Sequence, residues 1–168
     1  MRQLTPRAAP ARAPGRGLTL IELAVTLAIG AFLMSMAAPA LSDFWLNHQL
    51  RQGGDALLAE ALYARTEAIK RNAPTRLVIS GADLSVRDMS DGVNGVLLRQ
   101  RRLAEGLGAT GTAQVDFDSR GILLPLGTEA AIDIGKTGLT CSSDFRCPGL
   151  RVDGGGNMRL CADKLACT

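Results

Sequence analysis

The sequence has few of the residues on which catalytic and metal-binding sites are commonly built. It contains one histidine, His48, and one tyrosine among 168 residues. Acid–base catalysis and histidine-ligated metal sites usually draw on several such groups, so both are disfavoured. Aromatic residues make up 4% of the chain, too few for a platform that stacks the bases of a single nucleic-acid strand. We therefore expect no enzyme, no cofactor and no metal site.

Acidic residues are missing from the first 17 positions, which hold four arginines. The other 151 residues carry 15 basic and 16 acidic side chains, so a domain that binds nucleic acid through bulk positive charge is disfavoured. Three prolines interrupt residues 1–17, and this leader is predicted to lack folded structure. The apolar fraction of 46% in the whole chain is typical of a folded protein.

A long apolar run follows the leader. Residues 18–41 contain a single charge, Glu22, and a helix of this length reaches ~36 Å, enough to cross a bilayer. The basic leader predicts a cytoplasmic N-terminus and an outward-facing C-terminal part. A cleavable secretory signal and a plain signal anchor both compete with this interpretation. Neither explains Glu22, because an ionisable group at membrane depth is costly and indicates a function.

The start of this run resembles the type IV prepilin signature. The matching residues are Gly17-Leu18-Thr19-Leu20-Ile21-Glu22-Leu23. The resemblance implies that a membrane peptidase cuts between Gly17 and Leu18 and methylates the new N-terminus. Glu22 then becomes the fifth residue of the mature chain. The family usually has Phe where this chain has Leu18.

Electrostatics gives a second reason, independent of the resemblance, to expect a role for Glu22. A carboxylate in hydrocarbon is stabilised by a cation, and the amino group that the cut creates on Leu18 lies within one helical turn. In a filament, the amine of a neighbouring subunit is a second candidate. Such pairing fixes subunit register, since a displaced subunit leaves a charge unpaired. The alternative is an acid that merely complements the helix dipole.

The helical pattern continues beyond the membrane. Pro39 is expected to kink the helix or to melt one turn. Residues 42–73 are then amphipathic, and Asn72-Ala73-Pro74 is predicted to end the helix. The apolar stripe repeats at spacings of three and four and comprises Leu46, Leu50, Gly53, Leu57, Ala61, Ala64 and Ala68.

The run Ala64–Asn72, ARTEAIKRN, resembles the helix end of the GspH/FimT class of minor pilins and pseudopilins. This resemblance implies a structural subunit that helps to initiate or cap a type IV pilus or a type II secretion pseudopilus. The implied partners are other minor and major pilins or pseudopilins, the prepilin peptidase and the inner-membrane assembly platform. The implied location is the bacterial inner membrane, with the C-terminal domain in the periplasm. A DNA-binding minor pilin for natural transformation and a simple anchored envelope protein are the alternatives.

Residues 74–168 are predicted to form an antiparallel β domain that packs on the long helix, which makes the fold α+β. No predicted strand alternates with a full helix, so a parallel doubly wound sheet is disfavoured. The predicted strands are Arg76–Ser80, Leu84–Asp88, Gly95–Arg101, Gln114–Phe117, Ile122–Pro125 and Ala131–Ile134. Arg99, Arg101 and Arg102 are expected to form a solvated strand face.

Four cysteines, an even number in an exported domain, favour disulfides over zinc. The local pairing is Cys141–Cys147 with Cys161–Cys167. The nested pairing, Cys141–Cys167 with Cys147–Cys161, fits a hairpin centred on Gly154 and is the preferred hypothesis. Against it, Ser142-Ser143-Asp144 is typical of a turn that closes the local loop.

Some FimT-like proteins bind DNA through a C-terminal Gly-Arg-x-Arg hairpin. The corresponding residues here are Gly156-Asn157-Met158-Arg159, in which Asn157 replaces the first arginine. Arg159, with Arg146 and Arg151 nearby in sequence, is left to meet phosphate, and each contact neutralises one charge. We therefore expect weak DNA binding or none.

Overall fold

One long helix opens the described part of the chain. A computed structural model describes Gly17, residues 19–92 and residues 95–167, without the side chains of residues 38–40. The helix, α1, is Leu20–Arg71, and the chain divides into two compact units between Pro39 and Ala40. The backbone stays helical through Pro39, so of the two expected outcomes, a kink or a melted turn, the melted turn does not occur.

The end of α1 follows the sequence prediction. Arg71 is the last helical residue, and Asn72 adopts a left-handed conformation with φ 50°. The N–H of Ala73 donates to the carbonyl of Ala68 at 3.2 Å, and the N–H of Asn72 donates to the carbonyl of Ile69 at 3.3 Å. This pattern is a Schellman-type cap, in which asparagine takes the position that glycine usually holds. Pro74 follows and cannot continue the helix.

In the part of the chain that the structure describes, nine strands follow α1 and form two antiparallel sheets. Sheet 1 has the order β3-β2-β1-β5-β6, and sheet 2 has the order β4-β7-β8-β9. A short 3₁₀ turn, Lys164–Ala166, lies near the end of the chain. The strands are β1 Thr75–Ser80, β2 Asp83–Asp88, β3 Val96–Arg102, β4 Leu107–Gly111, β5 Gln114–Phe117, β6 Leu123–Leu124, β7 Ala130–Lys136, β8 Gly149–Val152 and β9 Met158–Cys161.

The core lies between the second half of α1 and the inner faces of both sheets. The predicted helical stripe is confirmed: six of its members are buried and Leu46 is partly buried. Alternating residues of each strand face this stripe, as the two-residue period of a half-buried strand requires. The strand side chains in this cluster include Leu77, Val86, Val115 and Phe117 from sheet 1, and Ile132, Ile134, Leu150 and Val152 from sheet 2.

The predicted α+β class is confirmed, and each predicted strand overlaps an observed one. Strand β4 was not predicted, and β8 and β9 were expected only as the two arms of a hairpin centred on Gly154, without bounds. They are short or glycine-rich, and the burial pattern of β9 does not alternate between buried and exposed. The region that was predicted as one sheet is two sheets.

The two sheets meet where two turns cross. The N–H of Leu123 donates to the carbonyl of Gly154 at 3.3 Å. Arg65 of α1 donates from Nε to the carbonyl of Gly121 at 3.1 Å. Gly156 has φ 79°, and a Cβ at this position would overlap the carbonyl oxygen of Gly121. Only glycine permits this approach.

The disulfides are local, so the preferred nested pairing was wrong. Cys141 is bonded to Cys147, and Cys161 is bonded to Cys167. A hairpin does form between β8 and β9, but it pairs Cys161 with Gly149 rather than with Cys147. The register is thus shifted from the one that nested bonds require. The Ser142 hydroxyl accepts from the N–H groups of residues 144 and 145, which is the turn that favoured the local loop.

Candidate assembly site on the N-terminal helix

The helix start carries a feature that the sequence analysis missed. Thr19 caps α1: its Oγ1 accepts from the N–H of Glu22 at 3.3 Å, and its carbonyl accepts from the N–H of Leu23 at 3.1 Å. The signal was present in the sequence, because Thr-x-x-Glu is the capping-box pattern. Part of the Thr-Leu-Ile-Glu motif is therefore a helix N-terminus signal, in addition to any role of the carboxylate.

The first unit exposes an apolar helix. From Leu20 to Ala37 no side chain is buried, and the segment is long and apolar enough to cross a membrane. Leu20 is 86% exposed and Phe32 is 66% exposed. Such a surface is far larger than the apolar patches that soluble monomers carry. Lipid or other apolar helices must therefore cover it.

The predicted processing and assembly residues occupy this unit. Gly17 is exposed and precedes the helix. Leu18, like residues 1–16 of the leader, lies outside the described residues. Glu22 is exposed in the first turn of α1. No ion pair between described residues involves its carboxylate, so the cation proposed for it remains a prediction.

Contacts in the second unit explain the choice of residues in the run Ala64–Asn72. The Thr75 hydroxyl donates to the carbonyl of Ala64 at 2.7 Å, where the alanine is fully buried. Arg71 Nε lies 2.6 Å from the Glu67 carboxylate. Together with the Arg65 contact and the Asn72 cap, these bonds attach the helix end to sheet 1 and its β5–β6 turn. The sequence pattern that resembles the family is therefore the joint between helix and β domain.

Glu67 and Arg71, four residues apart on α1, form an ion pair that does not lie on an exposed face. The side chain of Glu67 is 8% exposed, and Arg71 also lies 3.3 Å from Asp88. The hydrogen bond from Arg71 lowers the pKa of Glu67. The pKa of Asp88 is lowered chiefly by the backbone N–H of Ser90, which donates to it at 2.9 Å. Both carboxylates are therefore held in their charged form.

The carboxylates of Asp118 and Asp153, which lie in turns, also have a lowered pKa. Burial acts to raise the pKa of Asp118, but the hydrogen bonds from Ile122 and Arg120 outweigh it, and the pKa is lowered. The side chain and N–H of Asn157 both donate to Asp153 at 2.9 Å and lower its pKa. Asp118 and Asp153 each close one of the turns that cross between the sheets.

A buried charge lies between α1 and the edge strand of sheet 1. The side chain of Glu60 is fully buried, and its Oε1 lies 3.1 Å from Arg99 Nε and 2.8 Å from Arg101 Nε. The guanidinium of Arg99 also lies 5.0 Å from the centre of the Tyr63 ring. Oε2 of Glu60 is buried without a hydrogen-bond partner. The arginine face is solvated as expected, since Arg99 and Arg101 are 39% and 41% exposed, but the ion pairs of both residues with an acid of the helix were not expected.

The part of the β8–β9 hairpin that was considered for DNA binding carries little uncompensated positive charge. Arg159 lies on β9, directly opposite Arg151 on β8. Arg151 forms an ion pair with Asp133 at 2.8 Å, so its charge is already compensated within sheet 2. Asn157, which stands where the DNA-binding hairpin has arginine, is hydrogen-bonded to Asp153. The expectation of weak DNA binding or none remains a prediction.

Comparison with known families identifies the chain. Residues 54–157 match the model described as "Type II transport protein GspH". Residues 13–38 match the prokaryotic N-terminal methylation motif, which contains the predicted cut. The chain belongs to the GspH family. The two matches together cover the membrane helix and most of the β domain, and the resemblance inferred from the sequence is confirmed.

Relatives of this GspH-family chain come from secretion and pilus systems. The type II secretion system protein H of Xanthomonas campestris pv. campestris is 38% identical over 74 residues, which is 44% of each chain. The chain thus aligns with less than half of that relative's length. The fold of the present chain is similar to that of the type IV minor pilin FimU of Pseudomonas aeruginosa, with TM-score 0.58 and 23% identity. The match covers 70% of this chain and 91% of FimU. The minor pseudopilin EpsH of Vibrio cholerae matches with TM-score 0.52, 17% identity, and coverage of 67% and 96%.

Proposed function

We propose that this chain is a minor pseudopilin or minor pilin, a structural subunit that packs by its N-terminal helix into a short filament or filament tip. The observation that carries the proposal is the exposed apolar half of α1, joined to a methylation motif at one end and to a compact β domain at the other. Apolar burial between helices supplies the cohesion of such a filament. The partners are other minor and major pilins or pseudopilins and the inner-membrane assembly platform.

In this proposal the prepilin peptidase cuts between Gly17 and Leu18 and methylates Leu18. Before assembly the chain is a single-pass protein of the bacterial inner membrane, with its β domain in the periplasm. Type II secretion is the system favoured by the family description and by the curated relative. A type IV pilus is the second candidate, since FimU shares the fold.

Glu22 supplies the register of the filament, and Pro39 allows the helix to adjust while subunits pack. The capping-box pattern makes a careful test necessary, because Glu22→Leu removes the charge together with the glutamate of that pattern, although the backbone N–H that Thr19 accepts from remains. Glu22→Gln removes the charge and keeps the capping pattern. Thr19→Ala removes the cap and keeps the charge. Thr26→Val, one turn further along, is a matched polar-to-apolar control.

The experiment measures incorporation of each full-length variant into filaments by cross-linking to its fellow subunits in cells that express the whole assembly. We expect Glu22→Gln to lose incorporation, while Thr19→Ala and Thr26→Val retain most of it. If Glu22→Gln assembles normally and Thr19→Ala does not, position 22 acts through the helix cap and not through its charge, and the register role is wrong.

A further inference from the structure

Two exposed aromatic side chains lie on α1 shortly after the apolar run. Phe44 is 63% exposed and Trp45 is 56% exposed. Their ring centroids are 6.3 Å apart, and the His48 ring lies 6.4 Å from Phe44 and 6.2 Å from Trp45. The whole chain has one tryptophan and four phenylalanines. In so aromatic-poor a sequence, two large rings at neighbouring exposed positions require an explanation outside the core.

Helical geometry groups these side chains on one surface, which we call the aromatic face and which comprises Leu41, Phe44, Trp45 and His48. Spacings of three and four residues bring them together along the helix. At ~100° per residue the face points away from Leu46 and Leu50, which belong to the core stripe. On the same side of the next two turns the exposed residues Gln52 and Asp55 are polar, and the next large exposed apolar side chain on that side is Leu62. The aromatic face is thus confined to about two turns, next to the apolar run.

Counting along the chain places this face at the edge of a membrane. A hydrocarbon core of about 30 Å takes ~20 helical residues, and the apolar run ends at Leu41. Each headgroup layer adds about 5–8 Å, or the next three to five residues of a helix. Phe44 and Trp45 fall in that interval. Tryptophan is enriched there because its ring is apolar while its N–H can bond to water and headgroups.

We propose that the aromatic face binds the lipid headgroup layer on the side of the β domain and fixes the depth at which the subunit is held in the membrane before assembly. The occupant is lipid rather than a second copy of the chain, because the two large rings of the face fall within the headgroup layer. The inference rests on the membrane-spanning helix and not on filament formation, so it can fail while the proposed function stands.

The single tryptophan provides a direct probe. The full-length chain is placed in vesicles of phosphatidylethanolamine and phosphatidylglycerol that contain lipids brominated either near the headgroup or near the chain end. We expect the shallow bromines to quench Trp45 emission about twice as strongly as the deep ones. The double variant Trp45→Phe/Phe32→Trp, whose probe lies inside the apolar run, should show the opposite order. Absence of quenching by either lipid places Trp45 in water and overturns the proposal, and so does quenching of Trp45 that is stronger from the deep bromines.

A dilution series separates lipid from a second copy. Quenching that stays constant as the protein is diluted in excess lipid supports headgroup binding. A blue-shifted emission that disappears on dilution shows that a neighbouring chain covers the face, and it overturns the proposal.

Two further variants test whether the aromatic face sets the depth of the chain in the membrane. Phe44→Ser should reduce the shallow quenching of Trp45 by about half, because one of the two interfacial anchors is lost. Leu62→Ser removes an apolar side chain that is 45% exposed further along α1 and should leave the quenching unchanged. If Phe44→Ser also leaves it unchanged, the apolar run alone sets the depth and the aromatic face does not.

Discussion

The buried carboxylate of Glu60 allows a test of how the helix is joined to sheet 1. Its two partners are not equally buried: the side chains of Arg99 and Arg101 are 39% and 41% exposed, whereas Glu60 is 0% exposed. Removing the arginines leaves a charge in the core with nothing to compensate it, at a cost of about 3–5 kcal/mol. Removing Glu60 leaves two guanidinium groups that water can still reach. It also removes an oxygen, Oε2, that has no partner.

The expected result is an asymmetry. Arg99→Met/Arg101→Met should destabilise the fold by about 3–5 kcal/mol, which lowers Tm by roughly 10–15 °C for a domain of this size. Glu60→Met should change stability by less than about 1.5 kcal/mol, because a buried ion pair is weakly stabilising against an apolar side chain of similar volume. The triple variant should be close to the wild type.

Thermal unfolding of the full chain in mild detergent, followed by circular dichroism, measures these changes. Arg102→Met is the matched control, since Arg102 lies 4.0 Å from its acid and is 76% exposed. The reasoning is refuted if Glu60→Met destabilises the protein as much as the double arginine variant, or if the triple variant is the least stable of all.

The remaining predictions concern the cysteines, the carboxylates, the sheet junction and DNA. Removing the Cys141–Cys147 bond as a pair of serines should cost about 2 kcal/mol through its short loop, and a non-reducing peptide map should recover both local links. The four carboxylates with lowered pKa stabilise the fold in their charged form. Their contribution is complete above about pH 5 and is lost as the pH falls below about 4, so a Tm that is constant down to pH 2 contradicts it. Gly156→Ala should destabilise far more than Gly127→Ala, because both glycines have φ 79° but only Gly156 faces a carbonyl; equal Tm shifts would refute the close-approach argument. Any gel shift with short duplex DNA should be weak at low salt, and a strong shift abolished by Arg159→Ala would show that DNA binding was underestimated.

The helix could be predicted in detail because its signals are local. Spacings of three and four fixed the buried stripe from Leu50 to Ala68, and Asn72 with Pro74 marked the end. The membrane segment could be predicted equally well, since its length and composition alone define it. The capping role of Thr19 was also readable from four consecutive residues.

Long-range partners were not predictable in the same way. Glu60 flanks the stripe and carries a charge, so periodicity gives no reason to expect it in the core, and its arginines lie about forty residues further along the chain. The sequence did contain one signal for this pair of arginines: positions 99 and 101 are two residues apart, which places both side chains on one face of a strand. The disulfide error was a matter of register: Cys161 pairs with Gly149 in the hairpin, and Cys147 lies before the strand begins.

The bounds of strands β4, β8 and β9 were not predicted, for a physical reason. Each has four or five residues and contains glycine or a polar, partly exposed pattern. Their stability comes from pairing within sheet 2 and from packing on α1 rather than from local preference. Sheet 2 and its junction with sheet 1 therefore emerge only from tertiary structure.

The central claim is that a membrane helix, cut at its N-terminus, makes this chain a filament subunit. The most direct measurement is the intact mass and N-terminal sequence of the protein purified from membranes of cells with and without the prepilin peptidase. We predict a chain that begins at Leu18 and carries one added methyl group in the first case, and an uncut chain in the second. A chain that keeps residues 1–17 in peptidase-competent cells would contradict the account.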